Sequence, residues 1–175
     1  MATVLTLGGG ALLLSARPAQ AQLGSPLPIR AKLGVLLLQD GDTKDFAGDV
    51  LYGGEIDVTA PLPGAGQTVF TAGYFEGRRG GRTYRVIPLT VSQVYSPPNP
   101  AAGLTGNVYF GVGAGAYLLR ASGNGESENK TTFGGFALAG YQFPSALFVE
   151  GKYHLAGGVN GLSPNGLSIM LGRRF

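Results

Sequence analysis

Apolar and polar positions alternate with a period of two in eight segments of the chain. This period places successive side chains on opposite faces of a β-strand, so each segment predicts a strand with one apolar face. Clusters of Gly, Pro, Asn and Asp separate the segments and predict turns. The predicted strands are Ile29–Leu38, Val50–Ala60, Thr68–Gly77, Thr83–Tyr95, Asn107–Ala121, Thr132–Phe143, Ala146–Leu155 and Gly166–Phe175.

Strand length and connection length both indicate a membrane barrel. Most predicted strands have 10–13 residues, close to the roughly 9–11 of a tilted membrane-spanning strand. The connections after strands one, three, five and seven are polar and mostly long, whereas those after strands two and six are short; the exception is the long link Ser96–Gly106. Long loops at one end are typical of such barrels. We therefore predict an all-β fold, an eight-stranded antiparallel up-and-down transmembrane β-barrel.

The charged strand residues collect on one face, opposite a face that is wholly apolar. If Lys152 faced lipid it would cost about 2–4 kcal/mol near the midplane, so we expect the charged face inside. An eight-stranded barrel is just wide enough for side chains to fill it, which predicts a packed polar interior without an open pore. The face of the sixth strand stays open, because Gly and Ala fit either side. The predicted interior network is Arg30, Lys32, Glu55, Asp57, Glu150, Lys152, His154 and Arg174.

Composition narrows the function classes. A hydrophobic fraction of 44% with a net charge of only +3 over 175 residues argues against disorder. The absence of cysteine excludes disulfides and thiol catalysis, and a single histidine excludes multi-histidine metal sites. We therefore predict no cofactor and no metal. The basic residues are scattered, so nucleic acid is not an expected partner.

The amino terminus is typical of an export signal. Residues 4–14 form an apolar run too short to span a membrane, followed by the small-x-small sequence Ala19-Gln20-Ala21. We predict that residues 1–21 are a cleaved signal peptide and that residues 22–175 form the outer-membrane barrel domain.

A signal ending in Ala-Gln-Ala, eight alternating strands and the final segment GLSIMLGRRF resemble the OmpA/OmpX-type eight-stranded outer-membrane β-barrel superfamily. The resemblance implies location in the bacterial outer membrane and contact with its lipid. It also implies a carboxyl-terminal signal for the barrel assembly machinery, from which Arg173 departs. The expected role is structural, or surface interaction through the extracellular loops with an unidentified partner. The residues matching the assembly signal are Leu167, Ile169, Leu171 and Phe175.

The sequence leaves two alternative functions to consider, a lipid-modifying enzyme and a soluble ligand-binding barrel. The lipid A deacylase family uses a His-x-Ser arrangement late in the chain, which His154-Leu155-Ala156 resembles. Here Ala156 stands in place of the nucleophile and has no attacking atom, so we predict that the protein is not an enzyme. Ser163 or Ser168 would need an unusual geometry to replace it. The other alternative is a soluble lipocalin-like ligand-binding barrel, which requires an apolar interior and a polar exterior.

Overall fold

The computed structural model describes residues 29–60, 66–97, 106–123 and 125–175. The predicted signal peptide, residues 1–21, lies outside this part of the chain. The described residues form eight strands and one short helix. The strands are β1 (Ile29–Leu38), β2 (Val50–Ala60), β3 (Gln67–Arg79), β4 (Arg82–Tyr95), β5 (Asn107–Gly123), β6 (Glu126–Gln142), β7 (Leu147–Ala156) and β8 (Gly166–Arg174), and the helix is α1 (Gly41–Ala47).

The eight strands form one closed antiparallel barrel in sequence order. Each strand pairs with the next, and β8 pairs back with β1 from Arg30↔Arg174 to Leu38↔Gly166. Closure leaves no sheet edge along this seam. The predicted all-β fold with eight antiparallel strands in a closed barrel is confirmed.

The two ends of the barrel differ. We call the end that carries the β1–β2, β3–β4, β5–β6 and β7–β8 connections the loop end, and the other the opposite end. The predicted bounds of β1 and β2 agree with the structure, but β5 and β6 run further toward the loop end. The segment 122–131, predicted as a loop, is mostly paired strand, with Ala121↔Glu128 and Ser122↔Ser127 in register. This segment has polar side chains on both faces, so it lacks the alternation of apolar and polar positions from which the strands are predicted.

The predicted polar loop between β1 and β2 contains the helix α1. Asp40 caps its first turn, because the Asp40 carboxylate accepts a hydrogen bond from the Thr43 amide at 2.9 Å. The Thr43 hydroxyl also accepts from the Ser163 amide at 2.8 Å, which ties α1 to the β7–β8 connection. Ala47 is buried against the lumen. The helix therefore covers the loop end of the barrel.

Apolar side chains form two clusters inside the lumen. Below α1 a large cluster includes Leu36, Leu51 and Phe75, and a smaller cluster nearer the opposite end includes Tyr109 and Phe148. The charged interior residues pack beside the smaller cluster, where Arg30 stacks on the rings of Tyr109 and Phe148. The lumen is therefore apolar below α1 and mixed in character toward the opposite end.

The structure assigns the face of β6 that the sequence left open. Phe136 and Leu138 are buried in the lumen, while Phe133 lies on the outer wall and is 78% exposed. Gly113 on β5 makes room for Phe136, since a Cβ atom at Gly113 would clash with the Phe136 ring. Small inward residues thus accommodate large ones across the narrow lumen.

Candidate functional site: a charged layer inside the barrel

Three strands carry the charged layer. Arg30 and Lys32 lie on β1, directly opposite Asp57 and Glu55 on β2 in the strand register. Their side chains all point into the lumen, because alternate residues of a strand face the same side. The three predicted residues of β7 join them there, and all are buried: Glu150, Lys152 and His154.

Lys32 is the centre of this layer. Its Nζ atom lies 2.6 Å from Glu55, 2.8 Å from Glu150 and 3.2 Å from Asp57. An ammonium group has three donors and here meets three carboxylates. Lys32 therefore connects β1, β2 and β7 through its own contacts.

Lys152 supplies the second cation. Its Nζ atom donates to Glu55 at 2.7 Å and lies 4.8 Å from the centre of the Phe136 ring. Arg30 adds a third cation, 3.3 Å from Asp57. The charges of this layer balance, because three cations face three carboxylates: Arg30, Lys32 and Lys152 against Glu55, Asp57 and Glu150. Such buried ions are tolerated only when they are paired.

Two neutral side chains add hydrogen bonds to the carboxylates and were not predicted from the sequence. Tyr109 donates its hydroxyl proton to Glu150 at 3.1 Å, and Thr71 donates to Asp57 at 2.8 Å. Thr71 lies directly opposite Asp57 in the β2–β3 register. Tyr109 lies opposite Gly140, which lies opposite Glu150, so the register of neighbouring strands is the signal that finds both residues.

His154 forms a separate chain of hydrogen bonds. The Tyr117 hydroxyl lies 3.0 Å from Nδ1, and Nε2 lies 3.1 Å from the Ser168 hydroxyl. Ser168 in turn donates to the backbone carbonyl of Lys152 at 3.3 Å. A histidine protonated on Nε2 satisfies every one of these contacts.

Ser168 and His154 are the residue types of a nucleophile and its base. Both side chains are fully buried inside the lumen. The sequence indicates that Ser168 would need an unusual geometry to act as the nucleophile. The structure places its hydroxyl within hydrogen-bond reach of His154 Nε2. The pair is closed off from substrate in this conformation.

Arg174 does not join the charged layer. Strand parity predicted it in the network, but its side chain is exposed at the opposite end. Among the described residues it forms no ion pair. The alternation along a strand predicts which face a side chain occupies, but not how far it lies from the end of the barrel. Arg174 is the last residue of β8 and therefore lies at the rim.

The residues proposed as an assembly signal lie on the outer wall. Leu167, Ile169 and Leu171 alternate along β8 with their side chains exposed. Phe175 follows β8 and donates its amide to the carbonyl of Ile29 at 2.9 Å. The Arg173 guanidinium stacks on the Phe175 ring at 5.6 Å. These residues form an apolar row on the outer face, which Arg173 interrupts between Leu171 and Phe175.

The described residues contain no group of three or more His, Cys, Asp or Glu side chains arranged to hold a metal ion. None of their helices is long and apolar enough to cross a membrane. Comparison of the chain with protein-family models, with curated proteins and with solved structures found no match.

Proposed function

We propose that this protein is a small β-barrel of the bacterial outer membrane, with a structural or surface-interaction role and no catalytic activity. The observation that carries the proposal is the distribution of charge across the wall of the barrel. Six paired ionised groups are buried inside, and many large apolar side chains are exposed on the outer wall. A soluble barrel has the reverse arrangement.

The outer wall is too apolar for water. Leu33, Phe133 and Leu171 are 76%, 78% and 59% exposed. Each is one of many such residues, and contiguous apolar surface of this kind marks contact with a membrane or another protein. Lipid is the environment in which this surface is stable.

A row of polar side chains bounds the apolar wall toward the loop end. Glu76 and Arg85 lie in register on β3 and β4 and form an ion pair of 2.7 Å on the outer face. Arg120 of β5 continues the row beside Arg85, and Asn129 of β6 lies opposite Arg120. From Arg85 to Tyr95, β4 advances ten residues, which at a tilt of about 40° matches an apolar band about 25 Å tall.

Aromatic side chains mark the other border. Tyr95 packs against Phe110 with ring centres 5.4 Å apart, and Tyr141 packs against Phe143 at 5.0 Å. All four lie on the outer wall near the opposite end. Aromatic girdles occupy the membrane–water interfaces of outer-membrane barrels, so these pairs support the same placement of the bilayer.

A strand edge at the loop end supports the surface-interaction role. Pairing of β6 with β7 begins at Gly134↔Ala156, so residues 126–132 pair with β5 on one side only. Their side chains are almost all exposed. Such an edge binds an extended segment of a partner through main-chain hydrogen bonds.

The test is gel mobility of the full chain from isolated outer membranes, boiled against unboiled. We expect a faster band without boiling, because a closed barrel resists the detergent, and we expect the protein in the membrane fraction. Recovery in the soluble fraction, with one band under both conditions, would reject the membrane proposal and favour the soluble ligand-binding barrel.

A further inference from the structure

The outer wall of the barrel carries most of its charges on three adjacent strands. On β3, β4 and β5 the outward positions toward the loop end hold Glu76, Arg78, Arg85 and Arg120. Every other outward residue of the described strands is uncharged, except Arg173 near the opposite end. The four charges therefore form one group at the border of the apolar wall.

This group has three cations and one carboxylate, which leaves a net charge of +2. Glu76 is shared, because its two oxygens lie 2.6 Å from Arg78 and 2.7 Å from Arg85. Arg120 lies directly opposite Arg85 and is exposed. Among the residues that the structure describes, Arg120 has no ion pair and no contact with an aromatic ring. It is therefore open to an anion from outside the chain.

The other carboxylates of the described residues form no ion pair with these three arginines. Three belong to the charged layer in the lumen, and four lie on the β1–β2 connection. Glu126 and Glu128 lie on the inner face of β6, opposite Gly123 and Ala121. The terminal carboxyl group of Phe175 is at the opposite end. The segments 1–28, 61–65 and 98–105, which the structure does not describe, contain no aspartate or glutamate.

An apolar groove of about 480 Å³ lies in the outer wall on the same strands. Its lining includes the small side chains of Ala72 and Ala114 beside the larger Phe70 and Leu89. Leu89 follows Arg85 by four residues on β4, which is about 13 Å along a strand. Half of the hydrocarbon core of a bilayer is about 15 Å thick. An acyl chain whose headgroup lies at the arginines therefore extends to the groove.

We propose that this face binds one anionic lipid, with its phosphate held by Arg120 beside Arg85 and an acyl chain in the groove. Guanidinium groups form paired hydrogen bonds with phosphate oxygens. Arg120 supplies a whole guanidinium, and Arg85 adds the charge that the shared Glu76 leaves unbalanced. Like charges at directly paired positions repel, and a phosphate between them removes this cost. The site rests on the proposed function, because the groove meets lipid only if the wall lies in a bilayer.

The test is native mass spectrometry of the purified full chain, folded in nonionic detergent and titrated with dimyristoyl phosphatidylglycerol or zwitterionic dimyristoyl phosphatidylcholine. We expect one phosphatidylglycerol per barrel, bound roughly tenfold more tightly than phosphatidylcholine, and about a fivefold loss of affinity in Arg120→Gln. Arg173→Gln is the matched control, because it removes the same charge from the outer face at the other border, and it should bind like the parent protein. Equal affinity for the two lipids, or equal affinity of the two variants, would overturn the proposal.

A second pair of variants tests the groove. Ala114→Phe fills it and should weaken phosphatidylglycerol binding by about fourfold or more, the contribution of one buried CH₂ group. Ala139→Phe is the control, because Ala139 is equally exposed on the outer face of β6 and does not line the groove. Equal affinity of the two variants would overturn the placement of the acyl chain.

The two proposals fail in different ways. A parent barrel that is recovered in the membrane fraction and shows the faster unboiled band, but has no preference for phosphatidylglycerol, rejects the lipid site alone. Recovery of the parent protein in the soluble fraction rejects the membrane location, and the lipid site with it.

Discussion

Lys32 and Glu150 are 118 residues apart in the chain, yet their side chains meet at 2.8 Å inside the barrel. The contact joins β1 to β7 across the lumen, past β8, with which both strands pair. It is therefore a link through the interior that backbone pairing does not provide. The ion pairs of the charged layer stabilise the closed shape of the barrel as well as filling its centre.

Removing one carboxylate from this layer should be costly. Glu55→Gln leaves Lys32 and Lys152 without their shared partner, and breaking a buried ion pair costs about 3–5 kcal/mol. We expect that loss in the free energy of unfolding, measured by urea titration of the refolded barrel. Asp45→Asn is the control, since its ion pair with Arg79 is exposed, and it should change stability by less than about 1 kcal/mol. A loss in Glu55→Gln no greater than in Asp45→Asn would refute the role given to the layer.

Introducing a charge on the outer wall should show whether that wall faces lipid or water. Leu33 lies in the middle of β1 and faces outward. We expect Leu33→Arg to lower the free energy of unfolding in phospholipid vesicles by about 2–4 kcal/mol. Ser127→Arg, on the outer face of β6 and nearer the loop end than Asn129, should change it by less than about 0.5 kcal/mol. If Leu33→Arg is equally harmless, the wall does not face lipid.

A methyl group on the lumen face of β8 should disturb the packing. At Gly172 a Cβ atom would clash with the Phe148 ring and lie 2.8 Å from the Lys32 side chain. We expect Gly172→Ala to destabilise the barrel by about 1–3 kcal/mol through overpacking, and Phe148→Leu in the same chain to restore part of the loss. Gly151→Ala is the control, because a Cβ there meets nothing closer than 3.9 Å. Thermal unfolding of the four proteins measures these differences, and equal stability of the two alanine variants would contradict the packing shown.

The proposed assembly signal predicts an effect in cells and not in the test tube. Phe175→Ala should lower the amount of protein that reaches the outer membrane, because the assembly machinery would recognise the terminal aromatic. Spontaneous refolding into detergent should be unchanged. Phe133→Ala removes another exposed aromatic from the wall and should leave the amount in the membrane as it was. Similar amounts of Phe175→Ala and Phe133→Ala in the outer membrane would show that Phe175 is not part of an assembly signal.

The sequence predicts the strands of this barrel well because their side chains alternate. The bounds of β1 and β2 follow from that pattern alone, and the opposition of Lys32 to Glu55 follows from their register. The helix α1 was missed, since its seven residues lie in an acidic segment whose structure depends on the Asp40 cap and on contacts with Ser163. Contacts across the lumen, such as Lys152 with Glu55, require the curvature of the closed barrel and do not follow from the pairing of neighbouring strands.

The charged layer has one consequence for folding. The β1–β2 hairpin brings two cations and two carboxylates, and β7 brings one of each: Arg30, Lys32, Glu55 and Asp57 on the hairpin, Lys152 and Glu150 on β7. Each contribution is neutral by itself. The completed hairpin and β7 therefore each join the sheet without adding net charge from this layer to its concave side.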